Sequence, residues 1–158
     1  MRSDDGGVDH RVFVVRIVRQ RLEKILPNAA FCPAREPRMN VLPMAEALGQ
    51  IAPVTAVRGN VDTEPWALSL PETEVVEADG VSIYVLHDLG QLNLKPQAAG
   101  FRVVVYGHSH QPKIEEKDGV LYFNPGSAGP RRFKLPVSVG RLVIEAGKVR
   151  AELVELKI

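Results

Sequence analysis

Three glycine-centred turns dictate most of what residues 74–156 can become. Asp79-Gly80 separates the apolar-rich runs 74–78 and 81–86. Lys117-Asp118-Gly119 separates 114–116 from 120–123, and Ala146-Gly147 separates 137–145 from 148–156. Asp-Gly between two β-prone runs is a strong local hairpin signal, because a tight turn there needs positive φ, which glycine adopts without steric cost. Three antiparallel hairpins are therefore predicted. The run at 101–106, FRVVVY, reads as a buried strand from its nearly continuous apolar character. Residues 53–57 and 12–18 (VFVVRIV) are predicted to be two further strands.

Helical signals are fewer. Residues 39–50 carry Val41, Leu42, Met44, Ala45, Ala47 and Leu48 at helical spacing, with Gly49 as a stop and Pro43 tolerable in a first turn. Residues 92–99 are predicted to be a second short helix, and 19–26 a helical turn or two. Pro27, Pro33 and Pro37 then interrupt regular structure. A strand-rich chain with at least two helices points to a layered α/β or α+β sandwich.

The 158 residues suit a single domain spanning 1–158, and 45% hydrophobic with 25% charged residues fits a soluble globular chain. A net charge of +1 gives no argument for nucleic acid or an anionic membrane as partner. The charge is uneven: residues 1–40 hold eight Lys/Arg against five Asp/Glu, and 41–158 hold twelve against fourteen. The basic stretch 11–38 contains Phe13 and Phe31 but no patterned motif, so it reads as a solvated face and nucleic acid is not expected. No run approaches the roughly 20 apolar residues of a membrane span. The N-terminus lacks a signal-peptide core, and Cys32 has no second cysteine to pair with, so a cytoplasmic setting is expected.

Polar residues cluster where strands end. His108 and His110 follow the run 101–106, His87 follows 81–86, and Asn60 follows 53–57. In open α/β sheets, ligands gather at the carboxyl ends of strands. Singly, each has a plainer reading: exposed loop histidines for 108 and 110, a core histidine for 87, a turn residue for 60. Together they form a donor set. Neutral imidazole is the commonest side-chain metal ligand, and an amide oxygen beside it suits divalent ions such as Mn2+.

Gly59-Asn60-Val61-Asp62, His87, Gly107-His108-Ser109-His110 and Asn124-Pro125-Gly126-Ser127 occur in this order. The combination resembles the calcineurin-like metallophosphoesterase superfamily, and within it the small bacterial and archaeal phosphodiesterases of the YfcE type. The resemblance covers about residues 40–158; residues 1–38 are atypical. It implies a four-layer α/β/β/α sandwich and hydrolysis of phosphodiester bonds by a metal-activated water. It implies that Asn60, His87 and His108 bind one metal and His110 the other. It places Asp62 behind the catalytic centre, orienting Asn60 or a neighbour. Val61 stands where many relatives carry a proton donor. Arg131, beside Arg132, is the candidate contact to a substrate phosphate. Pro125 and Gly126 shape a turn beneath the site, and Ser127 carries no catalytic role. Mn2+ is the expected ion, with Ni2+, Zn2+ or Fe2+ as alternatives. The expected substrate is a small-molecule phosphoester or a nucleotide.

The family's Asp-x-His and Gly-Asp motifs are missing: no Gly is followed by Asp, and no Asp-x-His occurs. Asp4 and Asp9 lie in the nearest strings and do not reproduce the pattern. Without the carboxylate bridge, one ion rather than two is expected. Three readings stay open: a phosphoesterase, a catalytically inactive scaffold or interaction protein on the same fold, and a frame-altered product of a phosphoesterase gene. An unreplaced central strand would leave an open sheet edge, so a homo-oligomer is expected.

Overall fold

The computed structural model describes residues 15–19, 47–60, 62, 65, 67–129, 131 and 134–157. Arg19 is in a strand rather than in the helical turn predicted at 19–26; the rest of that turn, the three prolines after it, Cys32, Val61, Trp66 and Arg132 lie outside the described residues. Of the helix predicted at 39–50, residues 47–50 are described; 47–49 are helical and Gln50 is in the turn that follows. The N–H groups of Ile51 and Ala52 both return to the Leu48 carbonyl, at 2.9 and 3.0 Å, closing the helix at the glycine.

All three hairpins form. β2 (Thr73–Ala78) pairs antiparallel with β3 (Val81–Leu86), β5 (Lys113–Lys117) with β6 (Val120–Asn124), and β7 (Ser138–Glu145) with β8 (Lys148–Glu155). Each turn holds two residues at positive φ: Asp79 at 49° and Gly80 at 75°, Asp118 at 53° and Gly119 at 73°, Ala146 at 50° and Gly147 at 73°. Both central residues of a type I′ turn need that conformation. The run at 101–106 narrows to β4 (Val103–Val105), which pairs parallel with β3 and with β6.

Two sheets result. The larger has the order β2-β3-β4-β6-β5 and the smaller β1-β7-β8, with β1 (Val15–Arg19) running parallel to β7. The sheets face each other across one core. Ala78, Val81, Ile83, Val103, Val105 and Phe123 come from the larger sheet, Leu142 and Ile144 from the smaller. β7 shows the reason in its alternation: Ser138, Gly140, Leu142 and Ile144 turn inward, while Arg141 and Glu145 face solvent. Gly140 makes the contact between the sheets close. A Cβ there would sit 2.3 Å from Phe123 Cζ and 2.8 Å from Pro125 Cβ. At the opposite end, the Ala146 N–H donates to Asp79 Oδ2 at 3.0 Å, so two hairpin turns grip each other.

The outer face of the larger sheet carries Tyr84, Leu86, Val104, Tyr106 and Val120, covered by Leu89, Leu92, Leu94 and Phe101. The cover is a 3₁₀ turn (Leu89–Gln91), capped by Asp88 Oδ1 accepting from the Gly90 N–H at 2.9 Å, and then a single turn at 95–101. The short helix predicted at 92–99 is not formed. Pro96 has no N–H with which to extend a helix begun at 92, and Gly100, at φ 84°, ends the turn. The strand predicted at 53–57 does not form either. The segment instead ends on Arg58, whose N–H donates to the Pro71 carbonyl at 2.8 Å and whose guanidinium meets Glu72 at 2.6 Å.

These two facing sheets are the β layers of the expected sandwich, and the fold is α/β with a mixed sheet and few helices among the described residues. Among the described residues, no helix is long and apolar enough to cross a membrane. On β5 every residue is exposed, and Lys113, Glu115, Glu116 and Lys117 charge this edge against further pairing.

Overpacking a close contact typically costs about 1–3 kcal/mol. Gly140→Ala is expected to destabilise the protein by that amount, read as a lowered urea midpoint at unchanged slope.

Candidate metal centre

β3, β4 and β6 run parallel, so their carboxyl ends open on one side. The register sets Val85 beside Val105 and Val105 beside Phe123. Two residues on, His87, Gly107 and Pro125 stand side by side. The ladder continues into these loops: the Gly107 N–H donates to the His87 carbonyl at 2.9 Å, and the Tyr106 N–H to the Phe123 carbonyl at 3.0 Å. Sheet pairing alone thus places the His87 and His108 backbones next to each other.

Asn60 arrives from outside the sheet. The Gly59–Asp62 stretch is a tight turn in which the Asp62 N–H donates to the Gly59 carbonyl at 3.3 Å. The buried Asp62 carboxylate accepts the Gly59 N–H at 2.7 Å. A Cβ at residue 59 would lie 3.0 Å from Asp62 Oδ2 and 3.2 Å from His87 Cε1. Glycine is what lets this turn approach the histidine. Asp62 therefore holds the turn that carries Asn60.

The donor atoms converge. Asn60 Oδ1 is 2.9 Å from His87 Nε2, and His108 Nδ1 is 3.3 Å from the same nitrogen. The two rings stand edge to face, with centroids 5.2 Å apart and an interplanar angle of 85°. One imidazole nitrogen carries either a proton or a lone pair, so it cannot hydrogen-bond both neighbours well. If it donates to Asn60 Oδ1, its proton is not available to His108. If it accepts from His108, its lone pair faces the amide oxygen. A cation relieves this conflict by accepting lone pairs from all three atoms. The spacing fits as well: bonds of about 2.0–2.2 Å to nitrogen and oxygen separate neighbouring ligands by about 3 Å. Among the described residues no three His, Cys, Asp or Glu side chains group as metal ligands; this set is two imidazoles and an amide.

His87 is held below its ordinary value of 6.5, first by burial and then by the adjacent His108, with Asp62 and Asp88 pulling the other way. It is therefore kept neutral, the form that binds a metal.

His108 and His110 both take left-handed backbone, at φ 63° and 59°. The Ser109 N–H returns to the Gly107 carbonyl at 2.7 Å, so the pair sits on a tight turn past the strand end. His108 is exposed and turns to His87; His110 is half-buried two residues on. Arg131 is exposed on the connection from β6 to β7. Ser127 bonds locally, accepting the Gly129 N–H at 3.3 Å. Gly126, at φ 82°, has no room for a Cβ, which would fall 2.0 Å from Ser138 Oγ.

Sequence reasoning assigned Asn124 no role of its own. The structure buries it completely, with its amide nitrogen donating to the Gly107 carbonyl at 3.0 Å and to Ser109 Oγ at 3.1 Å. The available signal was an asparagine directly before Pro-Gly, a residue suited to closing a turn on a backbone N–H two residues on.

Residues 36–147 match the family model of the calcineurin-like phosphoesterase superfamily domain. The chain belongs to the calcineurin-like phosphoesterase superfamily. Over 120 residues it is 32% identical to a probable metallophosphoesterase of Methanocaldococcus jannaschii, covering 71% of this chain and 59% of that protein. Over 112 residues it is 32% identical to phosphodiesterase YfcE of Escherichia coli K12, covering 63% of this chain and 58% of that one. The chain spans less than two thirds of either relative's length. Its fold is also like that of Vps29 from Entamoeba histolytica, solved as a zinc complex: the TM-score is 0.53 at 24% identity, over 70% of this chain and 73% of that one.

A histidine with a lowered folded pKa stabilises the fold above its unfolded value and loses that contribution as pH falls. Metal-free protein is therefore expected to lose stability from about pH 6.5 downward. Between pH 7.5 and 5.5 the urea midpoint should fall further for the wild type than for His87→Gln; equal falls would contradict the assignment. Gly59→Ala should push the Asn60 turn off His87 and weaken Mn2+ binding about tenfold or more, measured by calorimetric titration.

Proposed function

We propose that this chain is a metal-dependent phosphoesterase that hydrolyses phosphodiester bonds in small-molecule or nucleotide substrates. The convergence of Asn60 Oδ1, His87 Nε2 and His108 Nδ1 carries the reading. The relatives named as metallophosphoesterase and as phosphodiesterase support it.

Asn60, His87 and His108 would hold a divalent cation, Mn2+ by preference for a mixed nitrogen and oxygen donor set, which would supply Lewis acidity toward water and phosphoryl oxygen. Asp62 fixes the turn that presents Asn60. Burial keeps His87 neutral and its lone pair available. Arg131 is the proposed contact to a non-bridging phosphate oxygen, suited by its fixed fork of donors. His110 belongs, by the resemblance, to a second ion. No Gly-Asp supplies a carboxylate to bridge two close dications, so the reading commits to one ion per chain. The cytoplasm is the proposed setting. A homo-oligomer is the proposed form, supported by exposed Val75 on β2 and exposed Leu153 and Val154 on β8, both edge strands.

A second reading, an inactive interaction protein on the same fold, is favoured by one observation: the missing carboxylate motifs. One experiment separates the two. The protein is loaded with Mn2+, freed of excess, and assayed for metal content and for hydrolysis of bis(p-nitrophenyl) phosphate. The phosphoesterase reading expects one ion per chain, and loss of both metal and turnover in His108→Ala. Metal content and turnover equal to those of His108→Ala would establish the scaffold reading instead.

A further inference from the structure

We propose that Asn124 is the positioning residue of the metal-donor loop, setting the backbone of residues 107–109 so that His108 faces His87 and Asn60. The inference rests on the metal-site reading above and goes beyond it, because Asn124 itself touches neither donor ring.

Asn124 ends β6 and is fully buried. Each polar atom of its amide has work to do. The nitrogen donates to the Gly107 carbonyl at 3.0 Å and to Ser109 Oγ at 3.1 Å, which uses both N–H groups. The oxygen accepts the Gly126 N–H at 2.9 Å. The turn that follows is anchored from behind by Ser138 on β7, whose hydroxyl donates to the Pro125 carbonyl at 2.8 Å. One side chain therefore ties the loop after β4 to the turn after β6, and that turn is tied to the second sheet.

His108 lies between the two tethered residues. Its φ of 63° belongs to the left-handed region, which few residues with a Cβ adopt, histidine more readily than most. With Gly107 and Ser109 both held by one rigid amide, the intervening residue has little freedom. Without the tethers, the favoured change is a return to negative φ. That rotation carries the His108 ring away from His87 Nε2, 3.3 Å away in the structure. The requirement is narrow. Aspartate has the same shape and no N–H to donate, glutamine is one methylene too long for a closed site, and alanine has neither group.

The test uses the whole chain and Co2+, whose visible bands report the donor set. Wild type, Asn124→Asp, Ser109→Ala, Ser138→Ala and His108→Ala are each titrated with Co2+ at pH 7.5. Loss of groups that orient metal ligands typically costs about 10–100-fold in affinity. Asn124→Asp is expected to bind at least about tenfold more weakly, with bands like those of His108→Ala. Ser109→Ala, which removes one of the two acceptors from an exposed position, is expected to bind more weakly than the wild type and more tightly than Asn124→Asp. Ser138→Ala loosens the same turn from behind and is expected to keep wild-type affinity while losing stability. In metal-free protein, the ring-to-ring nuclear Overhauser contact between His87 and His108 should persist in the wild type and Ser138→Ala and vanish in Asn124→Asp.

Wild-type affinity together with an intact ring contact in folded Asn124→Asp would overturn the proposal. Should Asn124→Asp not fold, Ser109→Ala decides on the same criterion. Equal Co2+ affinity in the wild type and His108→Ala would overturn the metal-site reading, and this inference with it.

Discussion

The two sheets can approach because β7 carries no side chain at residue 140. The Phe123 ring and Pro125 occupy the space a Cβ would need there, at 2.3 and 2.8 Å from its position. Both belong to the end of β6 and the turn beyond it. The depth to which Phe123 sinks therefore also fixes where Asn124 and Pro125 stand. Packing in the middle of the core is converted into placement at its edge, without any residue of the site taking part in the packing. Close-packed interiors transmit displacement in this way because they leave no slack to absorb it.

From that fixed point the site follows by register. Three parallel strands deliver His87, Gly107 and Pro125 to one level, and backbone hydrogen bonds carry the alignment past the strand ends. What the sheet cannot supply is direction. His108 needs a left-handed backbone to turn toward His87, and Asn60 comes from a segment that joins neither sheet among the described residues. A buried polar side chain supplies direction in each case, the Asp62 carboxylate for the Gly59 turn and the Asn124 amide for the histidine loop. Each holds backbone rather than a donor ring, and each is satisfied by that backbone, which removes the cost of burying it.

The parts legible in the sequence were those decided locally. The three hairpins were readable because Gly80, Gly119 and Gly147 answer a backbone demand their neighbours alone create. His87 and His108 were readable together because each follows an apolar run that becomes a strand of one sheet; Asn60 was expected beside them at the end of a strand, 53–57, that does not form. The parts not legible depended on distant partners. Residues 53–57 have strand-like composition but join neither sheet among the described residues, so composition did not decide their pairing. Residues 92–99 have helical spacing that Pro96 and Gly100 interrupt. The role of Asn124 was hidden because its partners are 15 and 17 residues away and belong to another strand's loop. The left-handed backbone of His108 was hidden for the same reason: both of its neighbours are bonded by the distant Asn124.

The contact between Asn60 and His87 joins points 27 residues apart in the chain. Between them lie β2, β3 and the turns that connect them. A cation shared by these two side chains and His108 would thus also be a clasp on topology, closing a loop of chain as a disulfide does and removing loop-closure entropy from every state in which it is shut. The donor set would then fasten an irregular segment to a sheet, and its occupancy would set how much of the polypeptide behaves as one cooperative unit.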